Sequence, residues 1–173
     1  MNIIVKPYGS SICYCRPDTT WERENKDFYS PDCVNEIHWT PVVFARISKA
    51  GKCIGKKFVE RYYDGVGCGM LMYCGNSVIV DKSSILPHPL FQPVVLEDEK
   101  EFVVNASTVI LSGAKDLIEE AICNASQLTS LRIGDFVAVE LKELEKLAGK
   151  EDGTVAVKGE FCEKEIFSFN IIL

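Results

Sequence analysis

Apolar residues fall on every second position in segment after segment of this chain. In residues 165–173, Phe167, Phe169, Ile171 and Leu173 share one side. Successive side chains of a strand point to opposite faces, so such a run reads as a half-buried strand. Residues 2–6, 11–15, 42–48, 66–73, 77–80, 101–105, 136–141 and 154–157 are apolar or alternating runs of the same kind. Two segments break the pattern. In residues 112–127, Leu117, Ile118, Ala121, Ile122 and Ala125 form a stripe at helical spacing. Asp116, Glu119 and Glu120 lie toward its N-terminal half, where negative charge suits the helix dipole, and Ser112 is its expected N-cap. Residues 56–63 read as a short helix ending near Gly65. Gly134-Asp135 and Asp152-Gly153 are turn dipeptides, each before a strand. Many strands with one long and one short helix predict a β-rich α+β fold, antiparallel or mixed, with helices packed outside the sheets.

A chain of 173 residues fits one domain with a real core. The net charge of -6 argues against a nucleic-acid partner, which needs clustered Lys and Arg. It disfavours an anionic membrane surface for the same reason. No run of about 18 uncharged apolar residues is present to span a bilayer. Residues 1–10 lack the basic start and apolar run of a secretory signal. The expectation is a cytoplasmic protein. The eight cysteines, Cys13, Cys15, Cys33, Cys53, Cys68, Cys74, Cys123 and Cys162, contain no C-x-x-C pair. They are read as reduced thiols, most of them acting as small core hydrophobes. With only His38 and His88 available, a Cys/His zinc site would have to be assembled from distant segments.

Several segments carry a resemblance. Cys15-Arg16-Pro17-Asp18 resembles a phenylalanine-x-lysine-proline segment with Arg in place of Lys. Residues 27–32 look like a short strand and turn leading to a longer strand, which begins Glu36-Ile37-His38-Trp39 and continues Val43-Phe44-Ala45-Arg46-Ile47. Gly51 through Arg61-Tyr62-Tyr63-Asp64-Gly65-Val66 is similar to a helix and the strand start after it. Residues 112–135 look like a helix followed by the approach Leu131-Arg132-Ile133-Gly134-Asp135 to the closing strands. In order and spacing these resemble the fumarylacetoacetate hydrolase family. The resemblance implies a mixed β-sandwich roll like that family's C-terminal domain. It would occupy residues 1–173 as a single domain, shortened at the N-terminus and in the substrate loops.

Active members of the family act on acylpyruvates and related dicarbonyl compounds. The resemblance implies magnesium, manganese or calcium held by carboxylates, since hard ions take oxygen ligands. The family's two glutamates fall on Thr40 and Val42 here, and its aspartate on Leu71. Pro41 between the first two suggests an edge strand or a distortion. The family's glycine-arginine-asparagine-tyrosine loop, with the catalytic histidine and acidic lid that follow, has no counterpart. The alanine-arginine-aspartate after the third ligand is Cys74-Gly75-Asn76. The threonine-glycine-threonine-proline substrate loop has become Ala138-Val139-Glu140-Leu141. The expectation is therefore no metal and no cofactor.

Three residues are candidates for the edge of the old pocket. Glu36 and His38 share a strand face with Thr40 and Val42, where a His–Glu hydrogen bond is the plain expectation. Lys82 falls near a family lysine but reads as solvated. His88, in Pro87-His88-Pro89, has no neighbouring Ser, Cys or Asp to form a triad. The first functional reading is a catalytically inactive relative with a binding or interaction role. The alternative is a divergent hydrolase, isomerase or decarboxylase of acylpyruvate-like compounds with a rebuilt site, using Cys68, Cys74 or His38. The resemblance also implies a homodimer. A small molecule or a protein is the remaining kind of partner.

Overall fold

The computed structural model describes residues 1–75, 77–88 and 90–173. Asn76 and Pro89, each the last residue of a segment singled out above, lie outside the described residues.

The chain runs β1 (Ile3–Lys6), β2 (Tyr14–Arg16), β3 (Trp21–Glu22), β4 (Phe28–Tyr29) and the long β5 (Glu36–Ile47). A 3-10 helix (Lys56–Arg61) leads to the equally long β6 (Tyr63–Cys74). Then come β7 (Ser84–Ile85), β8 (Glu101–Val104), β9 (Ser107–Ile110), α1 (Ala114–Leu128), β10 (Phe136–Glu140), β11 (Glu145–Gly149), β12 (Thr154–Phe161) and β13 (Lys164–Ile172). Among the described residues, one sheet has the order β2-β1-β10-β5-β6-β7-β3, with β11 also on β5. The other has the order β4-β13-β12-β8-β9. The pairs β1·β10, β3·β7 and β4·β13 are parallel and the others antiparallel, so the architecture is mixed, as the sequence predicts.

The main core lies between the sheets and α1. It takes Ile37, Trp39, Val43 and Ala45 from β5, Cys68, Met70 and Met72 from β6, Ile118 and Ile122 from α1, and Phe167 and Phe169 from β13. The other face of β5 and β6 is also apolar. Val42, Phe44, Leu71 and Tyr73 pack there with Ile3, Val5, Leu86, Phe136 and Ala138. A sheet buried on both faces explains why β5 and β6 read as nearly continuous apolar runs.

Several local expectations change. Pro41 is not on an edge strand: β5 pairs with β6 on one side and with β10 and β11 on the other. Its carbonyl accepts from Leu141 N–H at 2.9 Å, so its missing donor faces the same side, at the changeover from β10 to β11. No bond of the β5–β6 ladder is lost. Ser112 is not the N-cap of α1. That place belongs to Gly113, whose φ of 66° turns the chain in a left-handed conformation that glycine adopts freely. The short helix is a 3-10 helix. Residues 77–80 form no strand; Val78 exchanges two backbone bonds with Cys74 and pairs with nothing further. The cysteines are free, but only Cys68 and Cys74 are buried, and Cys15, Cys33, Cys53 and Cys162 are exposed. Cys13 and Cys123 pack partly buried against the core, so four of the eight are in or against it and four are not. Among the described residues no helix is long and apolar enough to cross a membrane.

Candidate functional site

The three positions matched to family ligands lie together. Thr40 and Leu71 are Cα partners across β5 and β6, and Val42 is partnered by Gly69. Thr40, Val42 and Leu71 are each 0% exposed. Val42 and Leu71 belong to the second apolar cluster. Thr40 is already committed, its hydroxyl donating to the Lys142 carbonyl at 2.7 Å. The donor set there is one occupied hydroxyl and two alkyl groups, which does not fit a hard divalent ion. Among the described residues no group of three or more His, Cys, Asp or Glu is placed to hold a metal.

The other candidates are dispersed. Glu36 is exposed and pairs with Lys146 at 3.3 Å. His38 is partly buried, and its Nδ1 is a buried atom without a hydrogen-bond partner. The expected His38–Glu36 bond is therefore not formed. Lys82 is exposed at a turn, with φ of 61°, its Nζ 3.7 Å from Glu22. It lines a different cleft, with Asp18, Trp21 and Arg23. His88 packs edge-on to Trp21, their ring centroids 5.3 Å apart. Burial holds its pKa below the ordinary histidine value, with Arg23 and Arg46 acting the same way. Burial pushes the Cys68 and Cys74 thiols up rather than down, the opposite of what a nucleophilic thiolate requires.

The polar chemistry on this face is elsewhere. Glu140, the last residue of β10, is the Cα partner of Val42. It shares the inward side of β10 with Phe136 and Ala138. The residue is 8% exposed; Oε1 accepts from the Tyr73 hydroxyl and Oε2 accepts from Tyr8 N–H at 3.1 Å. The Tyr73 hydroxyl also meets that of Tyr14, and Tyr14 accepts from Arg16 Nε at 3.3 Å. Arg16 is fully buried. Its remaining donors go to Ser83 Oγ at 3.2 Å, Ser84 Oγ at 3.1 Å and the Met72 carbonyl at 3.2 Å. Its guanidinium carbon stands 4.3 Å from the centre of the Tyr73 ring. Two phenols thus link a buried cation to a buried carboxylate. Burial, above all, raises the Tyr73 pKa far beyond the ordinary tyrosine value; Arg16 opposes the rise and Glu140 adds to it.

Beside this chain of groups lies a cleft of about 300 Å³, lined by Pro7, Tyr14, Tyr73, Ser77, Ile79, Glu140 and Leu144. Tyr14, Arg16, Tyr73 and Glu140 are not among the sequence candidates. One signal was available for Glu140, an acidic residue in the inward register of an otherwise apolar strand.

No protein-family model matches the chain, and comparison with curated proteins gives no match. Solved structures do match. A fumarylpyruvate hydrolase from Pseudomonas aeruginosa, in complex with Mn2+ and pyruvate, aligns at 14% identity over 100% of this chain and 90% of its own, with a TM-score of 0.79. A maleylpyruvate hydrolase from Sphingobium sp. SYK-6 aligns at 15% identity over 99% of this chain and 70% of its own, with a TM-score of 0.78. A protein assigned to the fumarylacetoacetate hydrolase family, from Yersinia pestis CO92, aligns at 14% identity over 99% and 92%, with a TM-score of 0.77. The chain has the fold of these fumarylacetoacetate hydrolase-like proteins, as the sequence resemblance implied. At such identities the likeness is one of fold.

Proposed function

We propose that this chain is a metal-independent fumarylacetoacetate hydrolase-fold protein with a binding role, whose ligand site is the cleft of Tyr14, Tyr73 and Glu140. The observation that carries this reading is the filled face around Thr40, Val42 and Leu71, all three 0% exposed and without a carboxylate. The Pseudomonas enzyme holds Mn2+ and pyruvate; a Lewis acid of that kind stabilises charge on a substrate oxygen. Here an ion in that place would meet alkyl groups and would lose its water without compensation. Glu140 and the two phenols are polar groups that border an open cleft. The cysteine-based alternative loses support from Cys68 and Cys74, whose thiols are pushed toward the neutral form.

Calorimetry with Mn2+ and Mg2+, together with an acylpyruvate hydrolysis assay, tests the reading. The expected result is no saturable ion binding and no ion-dependent hydrolysis. Micromolar Mn2+ binding that disappears on substitution of Thr40 and Leu71 would overturn it.

The reading includes pairing of two copies in a reducing, cytoplasmic setting. Exposed Tyr8, Ile12, Val78, Leu128 and Ile133 offer apolar surface for such pairing, and eight free thiols suit a reducing compartment. Sedimentation at micromolar concentration should give a dimer; a monomer throughout would remove that part of the proposal.

A further inference from the structure

We infer that the cleft of Tyr14, Tyr73 and Glu140 takes a small organic cation, a protonated amine carried on a compact apolar body. The inference rests on the reading of this cleft as the ligand site and adds the charge of its occupant. It follows from where the protons of the hydrogen-bonded chain must lie. The Tyr73 proton goes to Glu140 Oε1, which leaves the Tyr73 oxygen as an acceptor. The contact between the two phenols then takes the Tyr14 proton. The Tyr14 oxygen in turn accepts from Arg16 Nε at 3.3 Å. Both phenolic protons are therefore used within the chain, since each hydroxyl has only one to give. Glu140 Oε2 takes the Tyr8 N–H at 3.1 Å, and a carboxylate retains further lone pairs after two such bonds.

What these three residues can still offer an occupant is acceptors and a negative charge. The balancing cation is withheld. Arg16 is fully buried, and its donors are directed to Tyr14, Ser83, Ser84 and the Met72 carbonyl. Ser77, exposed, is the one other hydroxyl among the described residues that line the cleft and can turn either way. Pro7, Ile79 and Leu144 provide apolar walls. A carboxylate ligand such as pyruvate would meet the charge of Glu140, and no Lys or Arg is among the described residues that line the cleft. An ammonium finds a carboxylate and two phenolic oxygens, and its apolar body finds the walls. The volume, about 300 Å³, is at the low end for ligand pockets, so the body must be small.

Benzylammonium and benzoate, matched in size and opposite in charge, make a direct test by calorimetry and NMR titration. Benzylammonium should bind saturably, and benzoate at least about tenfold more weakly. Glu140→Gln keeps the shape and an acceptor for Tyr73 while removing the charge and the acceptor for Tyr8 N–H, and should weaken benzylammonium by about tenfold or more. Leu144→Lys leaves Glu140 in place and tethers an ammonium at the cleft wall; it should abolish binding of the added amine while circular dichroism still shows the folded sheet. Benzoate binding as tightly as benzylammonium, amine binding unchanged in both variants, or no saturable binding of the amine at all would each overturn the inference. A parallel Mn2+ titration separates the two readings. Amine failure without Mn2+ binding removes only the choice of a cation, whereas Mn2+ binding at Thr40 and Leu71 removes the metal-independent reading itself.

Discussion

Thr40 and Leu71 face each other in register across β5 and β6, and neither side chain reaches solvent. With Val42 they form a buried patch that holds no carboxylate. Placing charge there has a large penalty: an uncompensated buried charge costs about 3–5 kcal/mol, against a total domain stability of about 5–15 kcal/mol. The triple variant Thr40→Glu, Val42→Glu, Leu71→Asp should therefore be unfolded or barely folded in metal-free buffer. Mn2+ should raise its thermal midpoint and leave that of the unmodified protein unchanged. A triple variant as stable as the parent without metal would show that the three sites are not packed against one another.

Burial raises the pKa of both Tyr63 and Tyr73 well above the ordinary tyrosine value of 10.0. The folded state then keeps protons that the unfolded state releases, so stability is flat below pH 10 and falls as pH rises above it. These two should stay protonated until the chain unfolds. Phenolate absorbance should include a step that coincides with loss of circular dichroism, and in Tyr73→Phe that step should shrink. Full ionisation of all tyrosines before unfolding would contradict the burial of Tyr63 and Tyr73.

The elements most legible in the sequence are those whose burial follows one period. The alternation of β13 and the stripe of α1 each report a face against the core, and both were recoverable from spacing alone. β11 was not, because Glu145 and Lys146 are exposed and Lys146 is tied by charge to Glu36 and Glu151. β9 was missed for a related reason: it is an edge strand with no fully buried residue. Pro41 misled because a proline can sit inside a sheet where the neighbouring strand ends, and that ending is not visible locally. That Thr40, Val42 and Leu71 carry no carboxylate was readable from the sequence. The buried polar chain beside them was not, because Glu140 and Tyr73 are separated by 67 positions and meet only through the order β10-β5-β6.

Gly69 is fixed by packing. A Cβ built there would lie 2.2 Å from the Ile85 carbonyl oxygen, a backbone atom that cannot swing away as a side-chain tip could. Gly69→Ala should force β7 off β6, where Ile85 pairs with Met70. Overpacking typically costs about 1–3 kcal/mol, occasionally more. Denaturant unfolding should show a loss of at least this size, with faster amide exchange in residues 84–86. A neutral substitution would mean that β7 is free to shift.

Arg16 stands where the resembled segment has a lysine, and its surroundings suit only the guanidinium. Nε, Nη1 and Nη2 are directed at three places, Tyr14, the Ser83–Ser84 pair and the Met72 carbonyl. The plane also lies against the Tyr73 ring, 4.3 Å from its centre. Lysine has one nitrogen with three donors, which cannot serve acceptors spread over that span. Arg16→Lys would leave some of those acceptors unmet in the interior. At about 1.5–3 kcal/mol for each hydrogen bond to a charged group, a loss of about 3 kcal/mol is expected. Because Arg16 reaches Glu140 only through Tyr14 and Tyr73, its effect should not be independent of theirs. In a double-mutant cycle of Arg16→Lys with Tyr73→Phe, the combined loss should fall short of the sum by about 0.5–3 kcal/mol, as for groups in one network. Strict additivity in denaturant unfolding would mean that cation and carboxylate are not coupled through the phenols.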